Sequence, residues 1–293
     1  MKPTRLLIAL ASVTALLSFA SAYAQQPVRV GSKNFTEQFV LGELYAQALE
    51  ANGIKTEKKL NLGGTLIAHK ALEEKQIDLY PEYTGTILLA VLKQESMTDA
   101  TAVYDKVKTA YAEKGLVVLN QAPVNNTYVL VVRPDTAQKY KLETVSDLAK
   151  VSKELKLGAG PEFRDRKDGL PGLRDKYGME LKEDLQMAIG LRYQALKNDQ
   201  IQIVNGYSTD GMIAAMNLKR LKDDKKLWPP YYIVPVVRKD ALDANPKIAD
   251  VLNRVSALLD DSTMAEMNYK VDGDKMEPKD VAHDFLKAKG VVK

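Results

Sequence analysis

The stretch VRVGSKNFTEQFVLGELYAQALEANG occupies residues 28–53, and KTEKKL (55–60), GGTLIAHKAL (63–72) and IDLY (77–80) follow it. Two periodicities alternate along it. Val28-Arg29-Val30 is a short β-prone run that Gly31 and Ser32 break. Thr36 is placed to cap a helix, with Glu37 in its first turn, where a negative charge suits the free N–H groups. Val40, Leu41, Leu44, Tyr45, Ala48 and Leu49 then recur at helical spacing until Asn52-Gly53. Residues 55–60 read as a strand. Gly63-Gly64-Thr65 opens a second helix with Leu66, Ile67, Ala71 and Leu72 on its apolar side, and 77–80 is a third strand. The order βαβαβ implies a parallel sheet covered by helices.

Outward from this unit the pattern restarts. Residues 128–132 are strongly β-branched and end at Arg133-Pro134. Strands are expected at 155–159, 201–204 and 233–237, helices within 169–178 and over 191–197, and three helical patterns after Pro246. The reading is an α/β chain of two lobes. Residues 25–127 plus 232–293 form a discontinuous first lobe, and 128–231 form the second. Crossings near Thr127 and Tyr232 make a hinge, and the cleft between the lobes is where a small ligand sits.

Residues 1–24 read as a secretory signal peptide: Lys2 and Arg5, an uncharged apolar run over 6–20, then Ala22-Tyr23-Ala24 as a cleavage site. The apolar run is short against the roughly 20 residues of a membrane span. With no Cys among 293 residues, disulfides, thiolate metal sites and a catalytic Cys are excluded. The two His, His69 and His283, have no metal-ligand spacing, so no metal and no cofactor are expected. A formal charge of +4 with acids and bases interspersed is no nucleic-acid footprint. The expected product is a soluble, monomeric periplasmic protein.

Enzyme signatures fail in turn. Gly158-Ala159-Gly160 lacks the third Gly of a dinucleotide loop, and no phosphate-binding Gly-rich loop with Lys exists. Gly206-Tyr207-Ser208-Thr209-Asp210 lacks the second Gly of a nucleophile elbow. Both His read as packed or surface side chains, and Asp223-Asp224 before Lys225-Lys226 reads as a solvated turn. A periplasmic hydrolase using the same cleft would need a nucleophile with a base, and none is evident.

An ordered set of motifs remains. Gly31-Ser32-Lys33-Asn34-Phe35-Thr36-Glu37-Gln38 is followed by Leu62-Gly63-Gly64-Thr65 and by Asp78-Leu79-Tyr80-Pro81-Glu82-Tyr83-Thr84-Gly85-Thr86. Later come Asn125-Asn126-Thr127-Tyr128, Asp168-Gly169-Leu170-Pro171-Gly172-Leu173, Ser208-Thr209-Asp210-Gly211 and Pro229-Pro230-Tyr231-Tyr232. Together they resemble the glycine betaine/carnitine/choline substrate-binding proteins of osmoprotectant ABC importers, over nearly the whole chain after residue 27. The resemblance implies a two-lobed periplasmic-binding-protein fold, no catalytic activity, and a membrane permease with its ATPase as partners.

It also implies a box of tyrosines for a quaternary ammonium group. A trimethylammonium has no N–H to donate, and its charge is spread over weakly hydrated methyls. Aromatic faces offer it negative potential and apolar contact at once, about 0.5–2 kcal/mol per ring. Position by position the box falls on Tyr83, in the loop after the third strand, and on Tyr128, Tyr207 and Tyr231, with Tyr232 as the adjacent alternative to Tyr231. Trp228, Tyr80 and Tyr193 are given structural roles. Lys33, Thr86 and Arg166, with Asn126 through its main chain, match the positions that meet a ligand carboxylate. Arg164 stands where the family pattern is apolar, so that loop holds two guanidiniums. Lys33 and Arg166 are expected as cations that disfavour choline, leaving a preference for betaines of about tenfold, or 1.4 kcal/mol. A choline or carnitine receptor is the alternative within the class. A site for cationic amino acids would need carboxylates at the box positions, and none stands there.

Overall fold

The structure, a computed structural model, describes residues 26–293. The leader expected over residues 1–24 lies outside the described residues. In chain order the strands are β1 (Val28–Gly31), β2 (Thr56–Lys59), β3 (Leu79–Tyr83), β4 (Leu116–Val118), β5 (Tyr128–Val132), β6 (Lys156–Ala159), β7 (Glu183–Gln186), β8 (Ile203–Tyr207), β9 (Lys219–Leu221) and β10 (Ile233–Arg238). They form two five-stranded sheets, in the orders β2-β1-β3-β10-β4 and β7-β6-β8-β5-β9. In each sheet four strands run in one direction, and the first strand after a crossing, β10 or β5, is antiparallel to both its neighbours. The sheets are therefore mixed rather than purely parallel. The reason is the two crossings, each of which delivers the chain to its new sheet from the opposite direction.

The crossings pair with each other. Asn125 and Tyr232 form an isolated antiparallel bridge. The Asn126 amide donates to the Tyr231 carbonyl at 3.1 Å, and the Ile233 amide to the Val124 carbonyl at 3.2 Å. The third strand begins later than the expected 77–80 and runs through Pro81 to Tyr83. Proline lacks the ladder donor, so Pro81 reads as a strand end. Here it lies directly opposite Pro235 of β10. Only a non-hydrogen-bonded antiparallel pair asks neither residue for its N–H, so two facing prolines cost no bond between β3 and β10. This register makes Tyr83 the last residue of β3 rather than a loop residue. It also sets Ile233 opposite it.

The first helix, Thr36–Ala51, buries Val40, Leu41, Leu44, Tyr45, Ala48 and Leu49 completely. Each large apolar side chain so buried contributes about 1.5–3 kcal/mol. Phe35, not Thr36, takes the cap position, and the Thr36 hydroxyl donates to Asp272 at 2.6 Å. The helix Thr65–Glu73 packs through Ala68, Ala71 and Leu72, while Leu66 and Ile67 point outward, against the expected apolar side. Three C-terminal helices follow, Lys247–Ser256, Asp261–Asp272 and Pro278–Ala288. The outer two pack on Thr36–Ala51. The middle one touches both Thr36–Ala51 and the helix Gly211–Ala215 that follows β8, so it spans from one sheet's layer to the other's. Among the described residues no helix is long and apolar enough to cross a membrane.

Candidate functional site

Between the sheets lies a narrow cavity. Its wall is made by Lys33, Phe35, Thr65, Tyr83, Thr86, Asn126, Tyr128, Glu162, Arg166, Tyr207 and Tyr231. The fold brings all eight sequence-derived positions to this one cavity, together with Phe35, Thr65 and Glu162. It does so because the contributing segments are strand ends and crossings. Tyr83 ends β3, Tyr207 ends β8, Tyr128 begins β5, and Asn126 and Tyr231 sit on the paired crossings. Tyr128 and Tyr207 are direct cross-strand partners, which sets their rings 5.4 Å apart, nearly parallel.

The rings continue into a row. Phe35 stacks on Tyr207 at 5.5 Å and on Tyr83 at 6.4 Å, both at 19°. Tyr231 and Phe163 meet Tyr128 edge-on, at 5.9 and 5.0 Å. Tyr231 is the inward ring, 3% exposed, while Tyr232 is half-buried. Gly85 lies so close that a Cβ there would come within 2.7 Å of the Pro230 carbonyl and the Tyr231 ring, so the Thr84-Gly85-Thr86 turn presses directly on this wall. Trp228 packs behind Tyr128 and donates its indole N–H to the Asp168 carbonyl at 2.8 Å. Burial pushes the phenols of Tyr83, Tyr128 and Tyr231 well above their ordinary range, and that of Tyr207 up to about 12, so all four stay neutral near pH 7.

Lys33 and Arg166 do not stand as unpaired cations. The Lys33 ammonium, 3% exposed, donates to Glu82 Oε1 at 2.5 Å and lies 4.6 Å from the Tyr83 ring centroid. Arg166 is held by both oxygens of Asp168, at 2.8 and 2.6 Å, with its guanidinium 5.6 Å from Tyr128. Its Nη1 points toward Glu162 at 3.9 Å. A turn closed so tightly that a Cβ on Gly169 would meet the Phe163 carbonyl brings Asp168 round to Arg166. Asp168 also accepts from the Tyr231 hydroxyl. The second arginine of that loop, Arg164, faces away and pairs with Asp184 and Gln186. The expectation that Lys33 and Arg166 reject a cationic tail by bare charge is therefore corrected: each carries its own carboxylate, and what remains for a ligand is N–H donors.

Sequence reasoning missed Glu37 as more than a first-turn acid. It is 3% exposed and accepts four hydrogen bonds. Tyr83 Oη donates to Oε1 at 2.8 Å and Asn126 Nδ2 at 2.7 Å; Thr209 Oγ1 donates to Oε2 at 2.5 Å and Asn268 Nδ2 at 2.9 Å. Burial pushes its carboxyl upward, and the four donors offset only part of that rise. Phe35, Glu37, Glu82, Asp168 and Thr209 all lie in motifs quoted above, so their segments were visible and their roles were not. Asn268 lies mid-helix with no local signal. Among the described residues no cluster of three or more metal-binding side chains occurs.

Residues 26–288 match the family described as the substrate binding domain of ABC-type glycine betaine transport system. The chain is 36% identical to the carnitine transport binding protein OpuCC of Listeria monocytogenes, over 90% of this chain and 87% of that one. It is 38% identical to the glycine-betaine-binding protein of Pseudomonas aeruginosa, over 92% and 90%. Among solved structures, a glycine betaine/carnitine/choline ABC transporter protein superposes with a TM-score of 0.75 at 34% identity, over 90% of this chain and 99% of that one.

Proposed function

The chain belongs to the family of substrate-binding domains of ABC-type glycine betaine transport systems, and from that premise we propose that it captures glycine betaine, or a closely similar quaternary-ammonium carboxylate, in the aromatic cavity. The observation that carries the reading is the row Tyr83–Phe35–Tyr207–Tyr128 lining the same cavity as Lys33, Thr86 and Arg166. The rings take the trimethylammonium, with Tyr231 closing the wall edge-on. Arg166 Nη1, the remaining N–H bonds of Lys33 and the Thr86 hydroxyl serve the carboxylate, with Asn126 fixing the crossing beside it. The work is binding and not bond chemistry: ligand stabilises the form in which walls from both sheets meet.

Residues 25–127 with 232–293 and residues 128–231 move as two lobes about the paired crossings. The protein is exported by its leader to the periplasm, works as a monomer, binds no nucleic acid, and hands its ligand to a membrane permease driven by an ATPase. A carnitine or choline receptor is the second reading. It is favoured by the pairing of Lys33 with Glu82 and of Arg166 with Asp168, which leaves the cavity without bare positive charge. Calorimetric titration of the mature chain with glycine betaine, proline betaine, carnitine, choline and proline tests this. Saturable binding of glycine betaine supports the reading. Binding of none of the quaternary ammonium compounds overturns it.

A further inference from the structure

Glu37 forms no part of the cavity wall, yet it holds two residues that do, Tyr83 and Asn126. Its position is unusual electrostatically. Glu82 is balanced by Lys33 and Asp168 by Arg166, whereas the four partners of Glu37 are all neutral groups: a phenol, a hydroxyl and two amides. The Asn126 amide is oriented independently, because its Oδ1 accepts from the Thr209 amide at 3.4 Å. Its Nδ2 therefore faces Glu37 as a donor. The two amides can only donate, Asn126 to one oxygen of Glu37 and Asn268 to the other, and with the two hydroxyls also placed to donate the surroundings suit an ionised carboxylate.

A buried carboxylate without a cation is costly, and hydrogen bonds offset only part of the cost. The missing counter-charge is what a quaternary ammonium ligand brings. Tyr83 is the link between the two. A phenol that donates to a carboxylate shares its negative charge with the ring, and the ring face becomes a stronger attractor for a cation. The same bond stops the ring from turning away. We infer that Glu37 is a positioning residue for the ammonium end of the site, which fixes Tyr83 and Asn126 and supplies negative potential behind the Tyr83 ring, so that the preference for a cationic head over a neutral head of equal shape depends on it. This deepens the betaine reading and rests on it.

The test compares glycine betaine with its uncharged-head isostere, 3,3-dimethylbutanoate, in which carbon replaces nitrogen. Dissociation constants for both are measured on the mature parent chain, on Glu37→Gln and on Tyr83→Phe. Glu37→Gln keeps the shape and removes the charge. It is expected to weaken betaine about tenfold and to leave the isostere within about threefold. Tyr83→Phe cuts the link and is expected to shift the ratio the same way by a smaller factor; it carries the test alone if Glu37→Gln does not fold. Equal losses of both ligands in Glu37→Gln mean a structural role and overturn the inference. An unchanged ratio in both variants also overturns it, with the betaine reading intact. A parent chain that binds no betaine overturns that reading and the inference with it.

Discussion

Glu162 of the second sheet's layer caps a helix of the first. Its Oε1 accepts from the Thr65 amide at 2.5 Å and its Oε2 from the Thr65 hydroxyl at 3.0 Å, at the N-terminus of the helix Thr65–Glu73. The approach leaves no room for a side chain on Gly64, whose Cβ would lie 2.2 Å from Glu162 Oε1. Thr65 and Glu162 both line the aromatic cavity. A carboxylate at a helix N-terminus satisfies free N–H groups and meets the positive end of the helix dipole. This contact therefore ties the two sides together at the wall of the site.

Removing that tie is expected to open the protein. Glu162→Ala costs about 0.3–1 kcal/mol of helix-terminus interaction, paid only in the closed form. The ligand-free variant should show a larger radius of gyration by solution scattering, and betaine should bind up to about fivefold more weakly. Saturating betaine should bring the radius back toward the parent value. An unchanged radius and an unchanged affinity would make the contact incidental to closure.

The tyrosines separate into two pairs under substitution. Ala at Tyr83, Tyr128 or Tyr207 should weaken quaternary-ammonium binding by about 1–3 kcal/mol, lost packing included. Phe keeps the ring, so Tyr128→Phe and Tyr207→Phe should bind nearly as the parent does. Tyr83 and Tyr231 donate their hydroxyls to Glu37 and Asp168, so Phe there removes one donor from a buried carboxylate and should cost more. Calorimetry on the seven variants reads this directly. Parent-like binding in all three Ala variants would remove the rings from the site.

The β-branched runs and the helix Thr36–Ala51 were legible because one face of each is wholly buried, and burial is what periodicity reports. The crossings were legible because 128–132 and 233–237 restart strand patterns after long gaps. What escaped has physical causes. β4, β7 and β9 are sheet edges of three or four residues, where pairing on one side suffices and little alternation is needed. The end of β3 was hidden by Pro81, which the strand tolerates because of its register against β10, some 150 positions away. The carboxylates behind the site escaped for a different reason. Acids are usually solvated, and whether Glu37, Glu82 or Asp168 is buried depends on donors from other segments, Asn268 among them. Tyrosines in the motifs carry their chemistry with them; a buried acid acquires its own from its neighbours.

His69 supplies a pH dependence apart from ligand. It is 5% exposed, beside Tyr111 and Glu73, and burial lowers its affinity for a proton despite Glu73 and Glu82 nearby. Its folded pKa therefore lies below the unfolded value of about 6.5. Between the two values the unfolded chain binds more protons, so stability is present above pH 6.5 and is lost as pH falls through that window. Surface carboxylates such as Asp147 and Asp260 lie at about 2, held down by bonds from Lys150 and Thr144 and from Thr263 and Ser262, and do not titrate there. Glu37 and Asp272, both raised by burial, act in the opposite sense. The difference between parent and His69→Gln isolates the histidine. The melting temperature of the parent should drop more between pH 7.5 and 5.5 than that of the variant; equal drops would place the proton uptake elsewhere.

Discrimination between betaine and choline turns on the groups that meet the ligand's tail. Both ligands carry the trimethylammonium head, so the rings treat them alike. Because Lys33 and Arg166 already hold Glu82 and Asp168, choline does not meet bare positive charge, and the preference rests on hydrogen bonding. A carboxylate accepts from several N–H and O–H donors at once, whereas the choline hydroxyl accepts from one or two and leaves the others unpaired in a water-poor cavity. A preference for betaine of about tenfold, or 1.4 kcal/mol, is expected. Lys33→Ala and Arg166→Ala are poor probes, since each strands a buried carboxylate at a cost of about 3–5 kcal/mol to the fold itself. Thr86 is better, because it is buried, lines the cavity and bears no charge. Thr86→Asp places a negative charge where the betaine carboxylate would lie and an acceptor where the choline hydroxyl would lie, so the ratio of affinities should move toward choline by more than about tenfold. Competition binding on the parent and on Thr86→Asp decides it. Choline binding as tight as betaine in the parent would favour the choline receptor, and a ratio unmoved by Thr86→Asp would take Thr86 away from the ligand's tail.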